Sequence, residues 1–222
     1  MTVKQTFNGL TSDQLKAWLA ANGPFDGIIL STVAKDSPEF VKILSETAPL
    51  VILDENTPLP IKNLYETPAT LGKDRLAAAA GAHALFPGKN VLSIDAGTCI
   101  TYDFLTKDGE YLGGGISPGI RMRFQAMNAF TGKLPLVEPT DFTGLIGKTT
   151  AESLLSGVIN GVCEEIKGLI ARYIEQYEDL TAVITGGDHE YLHNKLKINI
   201  FAVPDLVLLG LNEILDCHDM ER

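Results

Sequence analysis

A chain of 222 residues with 45% hydrophobic and 21% charged content can bury a sizeable core, which excludes global disorder. Its formal net charge of −10 argues against a nucleic-acid or anionic-membrane surface, since both need clustered Lys and Arg to replace counterions. Cys99, Cys163 and Cys217 are widely spaced with no CxxC pair, so neither a disulfide framework nor a zinc knuckle is indicated.

No apolar run reaches the length of a membrane span, and Met1 to Phe7 lacks the apolar stretch of a secretory leader; the expected compartment is the cytoplasm. Thr11 to Asn22 predicts an amphipathic helix with Leu15, Trp18 and Leu19 on one side and Thr11 or Ser12 as N-cap. Gly27 to Val33 predicts a short buried strand, Ser37-Pro38 the start of a helix, and Leu50 to Leu53 the next strand. Two βα units in succession point to a parallel sheet covered by helices. Thr57 to Thr70, rich in Pro and polar residues, reads as a loop, and Gly72 to Phe86 as a helix ended by Pro87-Gly88. Its run Ala77 to Ala80 permits close packing.

Val91 to Ile94 and Ile100 to Leu105 flank a tight turn, a β-hairpin pattern. Tyr111 and Leu112 belong to a further strand, ahead of the glycine cluster Gly113 to Gly115. A long helix spans Thr150 to Tyr177, with Leu154, Leu155, Val158, Ile159, Val162 and Ile166 at helical spacing. Ala182 to Thr185 is a strand that runs into Gly186-Gly187-Asp188, and a strand (Asn199 to Val203) and helix (Asp205 to Leu215) follow.

Several segments carry chemistry. In Asp95-Ala96-Gly97-Thr98, after a buried strand, the glycine lets backbone N–H groups approach phosphate oxygens and Thr98 adds a hydroxyl donor. Asp95 would reach a phosphate only through a cation, a water or a hydroxyl; a hairpin turn with a capping Asp is the plain alternative. Gly186-Gly187 at a strand-to-helix junction suits flat contact with a nucleobase or sugar, or a simple sharp turn. Gly72-Lys73-Asp74-Arg75 opens a helix, where an anion is favoured: Arg75 can clamp a carboxylate or phosphate, and Asp74 can accept a proton from an attacking hydroxyl. The alternative is a charged first turn on a surface helix. Gly113 to Gly119 holds too many glycines for an idle loop and precedes Arg121 and Arg123 on a helix. His189 and His193 lie four apart beside Asp188, a metal-ligand spacing without a convincing third ligand.

Taken together, "NLYETPATLGKDR", "IDAGTCITYDF", "GGGISPGIRMR", "FTGKLPLVEP", "IGKTTAESLLSG" and "TGGD" resemble type III pantothenate kinase, from about Val3 to the C-terminus. The combination is specific, although no single motif is. The resemblance implies an α/β acetate and sugar kinase/Hsp70/actin fold: two ribonuclease-H-like halves, residues 1–90 and 91–222, with ATP between them. It implies phosphorylation of pantothenate by ATP, a monovalent cation (K+ or NH4+), Mg2+ and a homodimer. Carried over by position, Gly72, Lys73, Asp74 and Arg75 match the pantothenate-binding run with Asp74 as proton acceptor. Tyr65 and Thr150 match substrate contacts, Asp95 the monovalent-cation ligand, and Gly97, Thr98, Gly186 and Gly187 the ATP-facing turns. The family pattern opens with a DxGNT phosphate loop that this sequence does not contain, so the expected first half lacks its opening hairpin. A start placed downstream of that loop, or a non-catalytic regulatory or partner protein descended from the kinase, would each account for it.

Overall fold

A capping box starts the first helix. In the computed structural model, which describes residues 3–32, 37–142 and 144–220, Thr11 Oγ1 accepts from Gln14 N while Gln14 Oε1 accepts from Thr11 N. Helix α1 (Ser12–Asn22) and α2 (Pro38–Thr47) pack through Leu19, Ile43 and Leu44 onto a two-stranded parallel sheet, β1 (Ile28–Leu30) and β2 (Leu50–Ile52), paired Ile28 to Leu50. The strand expected over Gly27 to Val33 is thus shorter, and Val33 lies outside the described residues. Ser37 makes no side-chain cap; Pro38 alone sets the first turn of α2.

The segment expected to be a loop, Thr57 to Thr70, contains strand β3 (Lys62–Asn63) and a 3-10 turn (Pro68–Thr70). Two residues of pairing against a sheet edge leave no periodic signal in sequence. Helix α3 (Lys73–Leu85) follows, then an antiparallel meander of β4 (Asn90–Ala96), β5 (Cys99–Leu105) and β6 (Glu110–Pro118). The glycines 113–115 lie inside β6, not in a loop beyond it. At Gly114 a Cβ would collide with the Tyr102 carbonyl, so glycine lets β6 and β5 approach.

After α4 (Ile120–Phe130) and α5 (Thr150–Gln176), strand β7 (Leu180–Thr185) returns parallel to β4. Helix α6 (His189–Leu196), β8 (Phe201–Ala202) and α7 (Leu206–Met220) complete the order. The large sheet runs β3-β6-β5-β4-β7-β8, and its β6-β5-β4-β7-β8 part is the ribonuclease-H-like arrangement that the family resemblance implies. Helix α5 covers one face: Val158, Val162 and Ile166 pack on Leu92, Ile94 and Phe104. Each fully buried Ile or Leu there stabilises by about 1.5–3 kcal/mol relative to exposure.

Helices α3 and α7 cross on the opposite side, in contact with both sheets. Ala77 and Ala80 meet Leu53, Ile29 and Ile214, while Ala78 and Ala82 meet Val91, Val183 and Leu206. The crossing is backbone-close: a Cβ on Gly81 would strike the Leu206 carbonyl, and one on Gly210 the Ala77 carbonyl. Among the described residues no helix is long and apolar enough to cross a membrane.

Candidate active site

Strands β4 and β7 are parallel and in register, Asp95 beside Thr185, so both deliver their following turns to one edge of the sheet. In open α/β sheets such carboxyl-terminal edges are where ligands bind. Asp188 N donates to Ala96 O (2.9 Å) and joins the two turns, Gly97 N donates to Cys99 O (2.9 Å) within the first, and Gly119 N donates to Thr98 O (3.0 Å) to tie that turn to the end of β6. A cavity of about 460 Å³ opens above them, lined by Gly97, Thr98, Arg121, Met122, Gly187 and Asp188. The predicted nucleotide residues therefore share one space, with Gly186 beneath it. Arg121 is largely exposed, its nearest carboxylate being Glu138 at 4.0 Å.

The second cluster is the start of α3. Gly72 is its N-cap, and the Asp74 carboxylate folds back so that Oδ1 accepts from Arg75 N at 3.0 Å. Burial raises the pKa of Asp95, and the negative charges of Asp74 and Asp103 raise it further. Asp74 and Asp95 are thus electrostatically coupled, although they come from different elements. Lys73 Nζ is buried, makes no hydrogen bond among the described residues, and faces only the Glu55 carboxylate at 3.8 Å.

Arg75 is less open than the sequence suggests. Its side chain is buried, Nε donates to Asp103 Oδ1 at 2.8 Å, and Nη2 lies 2.7 Å from the same oxygen, off the hydrogen-bond axis. Tyr111 Oη also donates to that oxygen (2.7 Å), and Thr101 Oγ1 donates to Oδ2 (3.0 Å). Burial raises the Asp103 pKa even though Arg75, Tyr111 and Thr101 all favour its charged form. Tyr65 lies against this pair, its ring 5.7 Å from the Arg75 guanidinium carbon, tilted on Tyr111 and over Gly113.

Thr150 stands apart from both clusters. It opens α5, whose cap is Thr149, and lines a separate cavity of about 480 Å³ with Arg123, Met127, Leu134, Ser153 and Leu154. Arg123 is itself held: Nη2 donates to Glu165 Oε2 (2.6 Å) and Ser117 Oγ (3.0 Å), and Nε donates to the Pro118 carbonyl (2.8 Å). Tyr102 and Ser117 hydroxyls donate to Glu165 Oε1 at 2.8 and 2.6 Å. Burial pushes the Glu165 pKa up, but the hydrogen bonds from Ser117, Arg123 and Tyr102 outweigh it and the net shift is downward. Sequence reasoning passed over Asp103 and Glu165; the only signal was a charged residue within an apolar period, Ile100 to Leu105 for one and α5 for the other.

Among the described residues no group of His, Cys, Asp and Glu could cage a metal, and His189 Nδ1 is 2.6 Å from the Gly186 carbonyl. The donor set that remains, Asp95 beside the charge of Asp74, suits a hard cation that takes most of its oxygens from a nucleotide.

A family model described as type III pantothenate kinase matches residues 2–172. A type III pantothenate kinase of Christiangramia forsetii is 51% identical over 188 residues, 85% of this chain and 77% of that protein. One of Bacteroides fragilis is 51% identical over 171 residues (77% of this chain, 70% of the relative), and one of Porphyromonas gingivalis 44% identical over 211 (91% and 84%). A solved structure from Campylobacter jejuni, described as a Baf family transcriptional activator, superimposes with a TM-score of 0.58 at 22% identity, covering 91% of this chain and 87% of that one; it shares the fold.

Proposed function

Because this chain belongs to the type III pantothenate kinase family, we infer that it transfers the γ-phosphoryl group of ATP to the primary hydroxyl of pantothenate, the first step of coenzyme A biosynthesis. The single observation that carries this reading is the family match, at 44–51% identity with the named relatives.

The pantothenate hydroxyl attacks the γ-phosphorus, the bond to the β-γ bridging oxygen breaks, and ADP leaves. Asp74 takes the hydroxyl proton. Its situation in the first turn of α3, near enough to influence Asp95, supports that role. Thr98 and the turn amides donate to the phosphate oxygens, offsetting charge that builds in the transition state. Gly186 and Gly187 lie under the nucleotide, and Tyr65, Gly72, Lys73 and Arg75 surround pantothenate. The buried Lys73 ammonium with no hydrogen-bond partner among the described residues is consistent with an anionic ligand nearby. Asp95 would hold a monovalent cation (K+ or NH4+), with Mg2+ riding on the nucleotide; when bound, these ions neutralise phosphate charge.

The division at residues 1–90 and 91–222, a homodimer and a cytoplasmic location complete the proposal. The exposure of the large apolar side chains Phe130, Leu145 and Ile146 is in keeping with self-association. Thr150 remains a substrate contact by resemblance alone, since its cavity is separate from the Tyr65–Arg75 cluster.

Pantothenate-dependent release of ADP from ATP tests the reading. Turnover is expected from this chain or from a version extended upstream to carry a DxGNT loop; silence from both would refute the kinase assignment.

A further inference from the structure

We propose that Asp103 is the positioning residue of the acceptor site: by gripping Arg75 it fixes the first turn of α3, and with it the direction in which Asp74 faces the reacting hydroxyl. The inference rests on the reading of Asp74 given above.

Helix α3 packs as a nearly smooth cylinder. From Arg75 to Ala82 every residue is buried, and Ala77, Ala78, Ala79, Ala80, Gly81 and Ala82 offer no side chain long enough to interlock with a neighbour. The close Gly81–Gly210 approach fixes the middle of α3 against α7, but the small side chains there leave the orientation of its first turn to the residues ahead of Ala77. The large side chains in the buried run are Leu76 and Arg75. Arg75 is the directional one. Its fork meets a carboxylate that is 1% exposed and that belongs to a strand, not a loop.

Asp103 is itself fixed in place. Tyr111 from β6 and Thr101 from β5 donate to its two oxygens, at 2.7 and 3.0 Å. Ser93 of β4 donates to its backbone carbonyl at 3.2 Å, in register with it across the sheet. A carboxylate held by two other strand residues and a rigid backbone is therefore the anchor, and the helix is the part it orients. Burying an ion pair is a poor way to gain stability compared with an apolar contact of the same volume, whereas it defines geometry well. Asp74 is the residue before Arg75 and shares its first turn, where its carboxylate accepts the Arg75 amide. The Tyr65 ring lies 5.7 Å from the same guanidinium carbon. One buried carboxylate thus orients both the proton acceptor and the aromatic wall.

The test uses the full chain and Asp103→Asn, with Tyr111→Phe as a milder variant that removes one donor and keeps the ring. Two measurements are made: amide hydrogen exchange without ligand, and calorimetric titration with pantothenate and separately with ATP. In Asp103→Asn, exchange is expected to accelerate across residues 73–76 while α5 stays as in the parent. Pantothenate affinity is expected to fall roughly tenfold or more, the scale of one charged hydrogen bond, with ATP affinity changed by less than about twofold. Tyr111→Phe should move both readouts in the same direction by less, so it decides the matter if Asp103→Asn does not fold. Adding Asp103→Asn to Arg75→Gln should cost little more than Arg75→Gln alone, since Asp103 acts through Arg75. Unchanged exchange at 73–76, parallel losses of ATP and pantothenate affinity, or additive effects would each overturn the proposal. A parent chain that does not bind pantothenate would count against the substrate assignment, while the exchange measurement still judges Asp103.

Discussion

Gly186 rests directly on Asp95. At φ +89° it occupies backbone space that other residues rarely enter, and a Cβ there would meet both the Asp95 carboxylate and the Ala96 carbonyl. The turns after β4 and β7 therefore interlock through a missing side chain. Gly186→Ala should destabilise the chain by about 1–3 kcal/mol and weaken ATP binding more than pantothenate binding. Thermal unfolding with parallel titrations of the two ligands checks this.

Asp74→Asn should lower kcat by about 10²- to 10⁴-fold with little change in ATP affinity, because it removes the proposed proton acceptor and leaves the cavity over Gly97 and Thr98 intact. The Arg75 amide keeps an oxygen to donate to, so α3 should fold normally. Steady-state kinetics and a melting curve separate the two effects.

Asp95 gives the opposite pattern, activity set against stability. Its folded pKa is raised, by burial first and then by Asp74 and Asp103. The penalty for ionising it is absent below the ordinary value near 3.8, grows as pH rises, and is complete above the folded pKa. Asp95→Asn should therefore raise the Tm of the ligand-free protein at pH 7, by about 2–4 °C for about 1 kcal/mol relieved, while abolishing turnover. Equal melting temperatures at low pH and a gap at pH 7 are the expected signature.

Glu165 has the reverse sign. Its folded pKa is lowered because hydrogen bonds from Ser117, Arg123 and Tyr102 outweigh burial. Its contribution is fully present above the unfolded value near 4.5 and is lost as pH falls through the folded one. Glu165→Gln should cost about 1–3 kcal/mol at pH 7 and progressively less towards pH 3, measured by denaturant titration across that range.

The close crossing of α3 and α7 sets a last expectation. A Cβ on Gly210 meets the Ala77 carbonyl, which is backbone and cannot swing away. Gly210→Ala should destabilise by about 1–3 kcal/mol despite the better helix propensity of alanine. Chemical denaturation of the two proteins provides the comparison.

Much of this was legible in the sequence, for identifiable reasons. Helix α5 shows because its apolar positions recur over many turns, and the β4–β5 hairpin because two apolar runs flank a glycine turn. The strand character of Gly113 to Gly115 was hidden, because Gly114 answers to the Tyr102 carbonyl on the neighbouring strand and Gly113 to the Tyr65 ring. Strand β3 is invisible for a similar reason: Lys62 and Asn63 pair only because the edge of β6 is near. The site divides the same way. Asp74 and Thr98 sit in a helix start and a turn, and Asp95 at the end of a strand that runs into that turn, where local sequence dictates local shape. Asp103 and Glu165 act by burial among partners from other elements, which no local pattern records.

The glycine contact between α3 and α7 also constrains motion. Ala77 and Ala80 of α3 share a core with Leu53 next to β2 and with Ile214 of α7, while their neighbours Ala78 and Ala82 share one with Val91 of β4 and Val183 of β7. The two helices are a common axle on which the small sheet and the large sheet both bear. Any rocking of one sheet against the other, as a nucleotide enters or leaves, must turn about that axle or carry it along. Asp74, mounted in the first turn of α3, would then move with that helix rather than with either sheet.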